Sequence, residues 1–187
     1  MPFHRHRRWL VANGFVAGLV IQLAGDGEEL SLLAERAPSQ IAQVNEYASR
    51  IVLPYRPRAV VLYAGDNDLS GPWSKTPEQV FRDFTEFVEI IHAQLPETWI
   101  YYISIKPSIL RWGNWKKFKK TNELIAAYVR TQPRVQFIDV APAMLDAQGK
   151  PRRELFRWDG LHMNADGYAV WTAIIKPVLL SRFANTN

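Results

Sequence analysis

The sequence predicts an α/β domain built on a parallel sheet, and three observations carry that prediction. From about Ile51 onward, short apolar runs alternate with amphipathic segments, the pattern of βαβ units. Arg58–Ala64 is one such run and reads as a strand buried on both faces. Thr76-Pro77-Glu78-Gln79 then supplies helix-start grammar: an N-cap, a proline at the first helical position and a capping-box partner.

The elements follow in order. Val80, Phe81, Phe84, Phe87, Val88 and Ile91 recur at helical spacing, so that face packs on the sheet, and Pro96 marks the stop. Trp99–Ile105 is the next strand, ended by Lys106-Pro107. A helix is expected from about Trp115 to Thr131, with Leu124, Ile125, Tyr128 and Val129 facing inward. Val135–Val140 is a further short strand. Asn164 can cap a last helix whose buried stripe is Tyr168, Trp171, Ile174, Ile175 and Leu179. Pro177 should kink that helix or end its regular part.

The beginning of the chain is different. Val11–Leu23 suits either a first strand or a buried helix, and Glu28–Arg36 looks helical. Residues 1–37 therefore read as an atypical segment ahead of an α/β domain over 38–187. Arg5–Arg8 followed by the apolar run Trp9–Ala24 has the outline of a secretory signal. No small-x-small cleavage site accompanies it, so the cytoplasm is the expected compartment and export the lesser expectation. No uninterrupted stretch has the length of a transmembrane helix.

Composition sets wide bounds. The chain has 187 residues, enough for one domain with a sizeable core. The absence of cysteine excludes disulfides and thiolate metal sites. A net charge of +5 is mild and no argument for nucleic acid.

Two short strings carry chemistry. Gly65-Asp66-Asn67-Asp68 falls where the apolar run Ala59–Ala64 ends. Asp159-Gly160-Leu161-His162 opens the C-terminal amphipathic segment. A histidine can relay a proton only if its tautomer is fixed, and a carboxylate three residues ahead can fix it from a turn. An amide at the end of a parallel strand points into the crevice where open α/β sheets bind ligands. There it can donate to an oxyanion, and losing one such donor costs about 10²–10³ in rate. Each string alone suits an ordinary surface turn.

Taken together, and in this order, the strings resemble the third and fifth blocks of the SGNH (GDSL-type) hydrolases. The fifth-block likeness extends through Asp159-Gly160-Leu161-His162-Met163-Asn164-Ala165-Asp166-Gly167-Tyr168. The resemblance implies a three-layer α/β/α sandwich of flavodoxin-like type, with about five parallel strands. It implies hydrolysis of small acyl or acetyl esters, with His162 as general base and acid, Asp159 orienting it and Asn67 at the oxyanion. No cofactor or metal is implied, and Asp66, Asp68, Asp139 and Asp146 make no convincing metal set.

The resemblance fails upstream. Pro38-Ser39-Gln40-Ile41 looks like the second block, but Pro38 stands at a glycine whose N–H would be an oxyanion donor. The nucleophile is expected in about the first dozen residues, which hold no serine, cysteine or threonine. Gly25-Asp26-Gly27 imitates a Gly-Asp-Ser signature at too short a spacing to Asn67. A pseudoenzyme, an altered reading frame upstream of about residue 38, or a recruited serine (Ser39 first) each fits this pattern. The expectation is weak or absent hydrolysis, with the nucleophile unassigned. The alternative is a non-catalytic module binding an acylated carbohydrate or similar ligand.

Arg111-Trp112-Gly113-Asn114-Trp115-Lys116-Lys117-Phe118-Lys119-Lys120 interleaves cations and aromatics. It reads first as a solvated helix start with packed aromatics, second as an acyl- or sugar-binding lid. The expected partner is a small-molecule ester, with no nucleic acid; the oligomeric state is not legible.

Overall fold

The computed structural model describes residues 19–23 and 40–183. The elements are β1 (Leu19–Leu23), α1 (Ile41–Ile51), β2 (Ala59–Tyr63), α2 (Pro77–Gln94), β3 (Trp99–Ile103), α3 (Trp115–Val129), β4 (Val135–Ile138) and α4 (Ala165–Phe183). One sheet runs in the order β1-β2-β3-β4. β2, β3 and β4 are parallel, with Ala59 opposite Trp99 and Ile100 opposite Val135.

Strand alternation divides the core into two halves. Val60, Leu62, Ile100 and Tyr102 face one side and pack with residues of α1, α2 and α3. Ala59, Val61, Tyr63, Tyr101 and Ile103 face the other and pack with Trp171 and Leu179 of α4. Successive side chains of a strand point to opposite faces, so both sides are apolar and both are covered. The result is the expected three-layer α/β/α sandwich.

Local grammar set the helix ends. Thr76 and Gln79 form the capping box, with Thr76 N–H donating to Gln79 Oε1 at 2.8 Å and Gln79 N–H to Thr76 Oγ1 at 3.3 Å. α2 buries Val80, Phe84, Phe87, Val88 and Ile91, the face its periodicity predicts. Asn164 caps α4 by accepting from Gly167 N–H at 3.1 Å.

The structure differs from expectation in three places. The described residues contain four strands, and β1 runs antiparallel to β2 rather than parallel, with Leu19 opposite Tyr63. β1 takes the strand option over part of Val11–Leu23; Glu28–Arg36, Gly25-Asp26-Gly27, Pro38 and Ser39 lie outside the described residues. Of the two outcomes expected at Pro177, ending the helix is not the one seen: α4 continues through it to Phe183, because packing of its flanks outweighs the one hydrogen bond proline cannot make. In α3 the buried face is Phe118, Thr121, Asn122 and Ile125, with Leu124 only half-buried. Asn122 is drawn inward because its amide satisfies both backbone groups of Ile105. No described helix is long and apolar enough to cross a membrane.

Candidate active site

Both motif strings fall at the C-terminal edge of the parallel strands, the usual ligand edge of such sheets. Gly65 follows β2 with φ +112°, a backbone that side chains rarely adopt. A Cβ there would lie 2.8 Å from Ile105 Cδ1, so glycine lets the turn close against the loop after β3. Leu69 N–H then donates to Gly65 O at 3.1 Å, and Ser70 N–H to Asn67 O at 3.3 Å.

The turn aims three polar side chains in different directions. Asp66 is buried, with Oδ2 3.1 Å from Arg111 Nη1 and 3.8 Å from Lys106 Nζ. Asn67 accepts a hydrogen bond from Arg111 Nη2 through Oδ1 at 2.5 Å, which orients its amide N–H₂ away from the guanidinium. Asp68 is fully buried and accepts from Ile41 N–H at 3.3 Å, with Lys75 Nζ 3.6 Å away. Burial raises the Asp68 carboxyl to about 6, opposed in part by Lys75. Asp68 thus serves the start of α1, and Asn67 alone of the three presents a neutral donor.

The second string forms the turn its composition predicts. Gly160 takes φ +66°. Asp159 Oδ1 accepts from Leu161 N–H at 2.8 Å and His162 N–H at 2.9 Å, while Oδ2 lies 2.7 Å from His162 Nδ1. A carboxylate can only accept here, so Nδ1 carries the proton and Nε2 the lone pair of the neutral ring. The hydrogen bond from His162, helped by the two backbone donors, holds the Asp159 carboxyl well below the usual carboxylate range. This arrangement can accept a proton at Nε2 and stabilise the imidazolium that results.

The loop after β3 joins the two strings. Ile109 and Leu110 donate their N–H groups to Gly160 O at 2.9 and 3.0 Å. The next residue, Arg111, reaches Asp66 and Asn67 on the other side. Lys106, at the start of the loop, is buried, and desolvation lowers its ammonium, with Asp66 and then Asp159 opposing. Lys106 and the bridging role of Arg111 were not anticipated. A lysine directly after a buried strand is the signal that could have found the first; the second depends on loop geometry that no spacing rule encodes.

Other candidates fall elsewhere. Asp139 Oδ1 accepts from Ala141 N–H, and Asp146 Oδ1 from Gln148 and Lys150 N–H, so both close local turns. Among the described residues no group of three or more His, Asp or Glu could hold a metal. In the basic–aromatic segment, Phe118 is buried and Trp112 stacks on Trp115 at 5.8 Å.

Comparison with known proteins agrees with this fold. A model of the GDSL-like Lipase/Acylhydrolase family matches residues 11–170. Among curated proteins, the platelet-activating factor acetylhydrolase IB subunit alpha1 of Pongo abelii is 26% identical over 134 residues, 69% of this chain. That alignment covers 54% of the relative, so the chain spans about half the length of the curated relatives it matches. Among solved structures, a carbohydrate esterase family 3 from Talaromyces cellulolyticus superposes with a TM-score of 0.66 at 19% identity, over 78% of this chain and 69% of that one. A GDSL-like lipase from Bacteroides thetaiotaomicron gives a TM-score of 0.65 at 21% identity, over 76% of this chain and 72% of that one. At such identities the two structures speak for the fold alone.

Proposed function

Because this chain belongs to the GDSL-like lipase/acylhydrolase family, we propose that its crevice is built for small acyl or acetyl esters and that Asn67, Asp159 and His162 are its chemical groups. The observation that carries the reading is the 2.7 Å Asp159–His162 pair, on a turn tied through the Ile109–Arg111 loop to the Asn67 amide. In this reading His162 Nε2 removes the proton from the attacking hydroxyl and returns it to the leaving alcohol. Asp159 keeps Nδ1 protonated throughout. The Asn67 N–H₂ donates to the carbonyl oxygen as it becomes an oxyanion.

The nucleophile remains the missing member. The first dozen residues contain no serine, cysteine or threonine, so the chain's own hydrolysis is expected to be weak or absent. That same observation favours a second reading, a binding module that holds an acylated ligand without cleaving it.

A fluorophosphonate probe separates the two. Labelling that disappears in His162→Ala, with the modified serine mapped by mass spectrometry, supports an active hydrolase with a recruited nucleophile. Folded protein that takes no label, yet is stabilised by an acetylated sugar, supports the binding module. Turnover of p-nitrophenyl acetate at an ordinary esterase rate, unchanged in His162→Ala, sinks both.

A further inference from the structure

The loops beside the Asn67 and His162 turns carry apolar and cationic surface that neither reading uses. Four large apolar side chains stand exposed there: Trp73 (90%), Trp158 (89%), Leu110 (65%) and Ile109 (38%). They belong to three loops that hydrogen bonds lace together. Gly160, two residues after Trp158, accepts from Ile109 and Leu110 N–H. Further along the same loop Asn114 Nδ2 donates to Ser70 Oγ at 3.2 Å, and Lys117 Nζ reaches Ser74 Oγ, beside Trp73, at 3.4 Å. The exposed side chains therefore share one rim rather than being scattered singly.

The charge on the middle loop of that rim is one-sided. From Lys106 to Lys120 the chain has six cations and no Asp or Glu, more positive charge than the net +5 of the whole protein. Lys106 and Arg111 turn inward to Asp66. Lys116, Lys117, Lys119 and Lys120 are exposed on the first two turns of α3, where cations oppose the helix dipole. Lys150 lies 5.1 Å from the Trp112 ring centroid and adds to the same surface.

We infer that this rim docks the crevice onto an anionic lipid surface. Tryptophan sits well at a membrane–water interface, Leu110 and Ile109 can enter the acyl boundary, and the lysines answer the headgroup charge. Exposed Leu and Ile decide between polyanions, because aliphatic side chains gain from acyl chains and cannot stack on bases. The inference takes from the proposed function only the position of the site.

The experiment is sedimentation of the full chain with vesicles of phosphatidylcholine and phosphatidylglycerol, with tryptophan emission recorded alongside. The expected result is binding that needs phosphatidylglycerol, weakens with salt and shifts emission to the blue. A nearby lysine is worth roughly fivefold in partition, so replacing Lys116, Lys117, Lys119 and Lys120 by Gln should weaken binding at least about tenfold. The combined Trp73→Ser, Leu110→Ser, Trp158→Ser variant should weaken it similarly and lose most of the blue shift. All these side chains are solvent-facing, and unchanged circular dichroism confirms that the variants fold. His162→Ala should bind vesicles as the parent does, so absence of hydrolysis leaves this result intact. No binding to anionic vesicles at low salt overturns the inference. So does binding indifferent to the apolar variant, tighter binding to poly(U) than to vesicles, or an apolar variant that abolishes only self-association.

Discussion

The turn after β2 and the turn before α4 meet at one edge of the sheet, yet they hold their carboxylates by opposite physics. Asp66 and Asp68 are buried and depend on partners brought from other segments, Asp66 on Arg111 and Lys106 and Asp68 on the Ile41 N–H, with Lys75 nearby. Asp159 is partly exposed and depends on donors within three residues of itself. The first turn is made by the fold around it, while the second makes itself. A local device survives neighbouring change, whereas a buried charge fails when its remote partner is lost.

Gly65 and Gly160 give the largest contrast. Alanine at Gly65 meets Ile105 at 2.8 Å in a buried wall and must hold φ near +112°. At Gly160 the nearest atom is 3.1 Å away and φ is +66°, inside the left-handed region. Gly65→Ala should cost about 2–4 kcal/mol in urea denaturation and Gly160→Ala about 1–2. Equal costs would erase the distinction between an imposed and a self-made turn.

Arg111→Met tests the remote partnership. It removes the 3.1 Å ion pair to Asp66, leaving the Lys106 ammonium at 3.8 Å, and releases the Asn67 amide. A loss of about 1–3 kcal/mol is expected, within the range for breaking a largely buried pair. A neutral result would mean that Asp66 is satisfied without the loop.

The pH dependence of stability sharpens the same comparison. Burial pushes the Asp68 carboxyl up to about 6 in the folded protein, above the ordinary range for Asp, so folding favours its protonated form. Its contribution is fully present below pH 4 and is lost as pH rises through 6, about 2–3 kcal/mol at most. Asp159 has the opposite sign: its depressed carboxyl contributes above the ordinary carboxylate range and loses that contribution as pH falls below it. In denaturation midpoints from pH 3 to 8, Asp68→Asn should remove a decline between pH 4 and 6. Asp159→Asn should instead flatten the acid limb. If both variants bend the same limb, the two carboxylates are not held differently.

Much of the fold was legible because its signals are local. The Thr76–Gln79 capping box, the Asn164 cap and the periodic apolar face of α2 each depend on residues a few positions apart. The Asp159–His162 pair was legible for the same reason, since three residues and a glycine suffice to build the turn. The inward turn of Asn122 was not, because helical spacing does not announce an amide that completes Ile105 across seventeen positions of chain.

The sequence by itself determined that this chain alternates strands and helices, where α2, α3 and α4 begin, and that a carboxylate would orient His162. Tertiary structure decided the rest. It made β1 antiparallel, set Lys106 and Arg111 against Asp66, carried α4 through Pro177, and gathered Trp73, Leu110 and Trp158 on one rim. The physical reason is range. Hydrogen-bonded turns and amphipathic periods act over a few residues and are written in order along the chain. Burial, charge pairing and exposed patches depend on segments that only packing brings together.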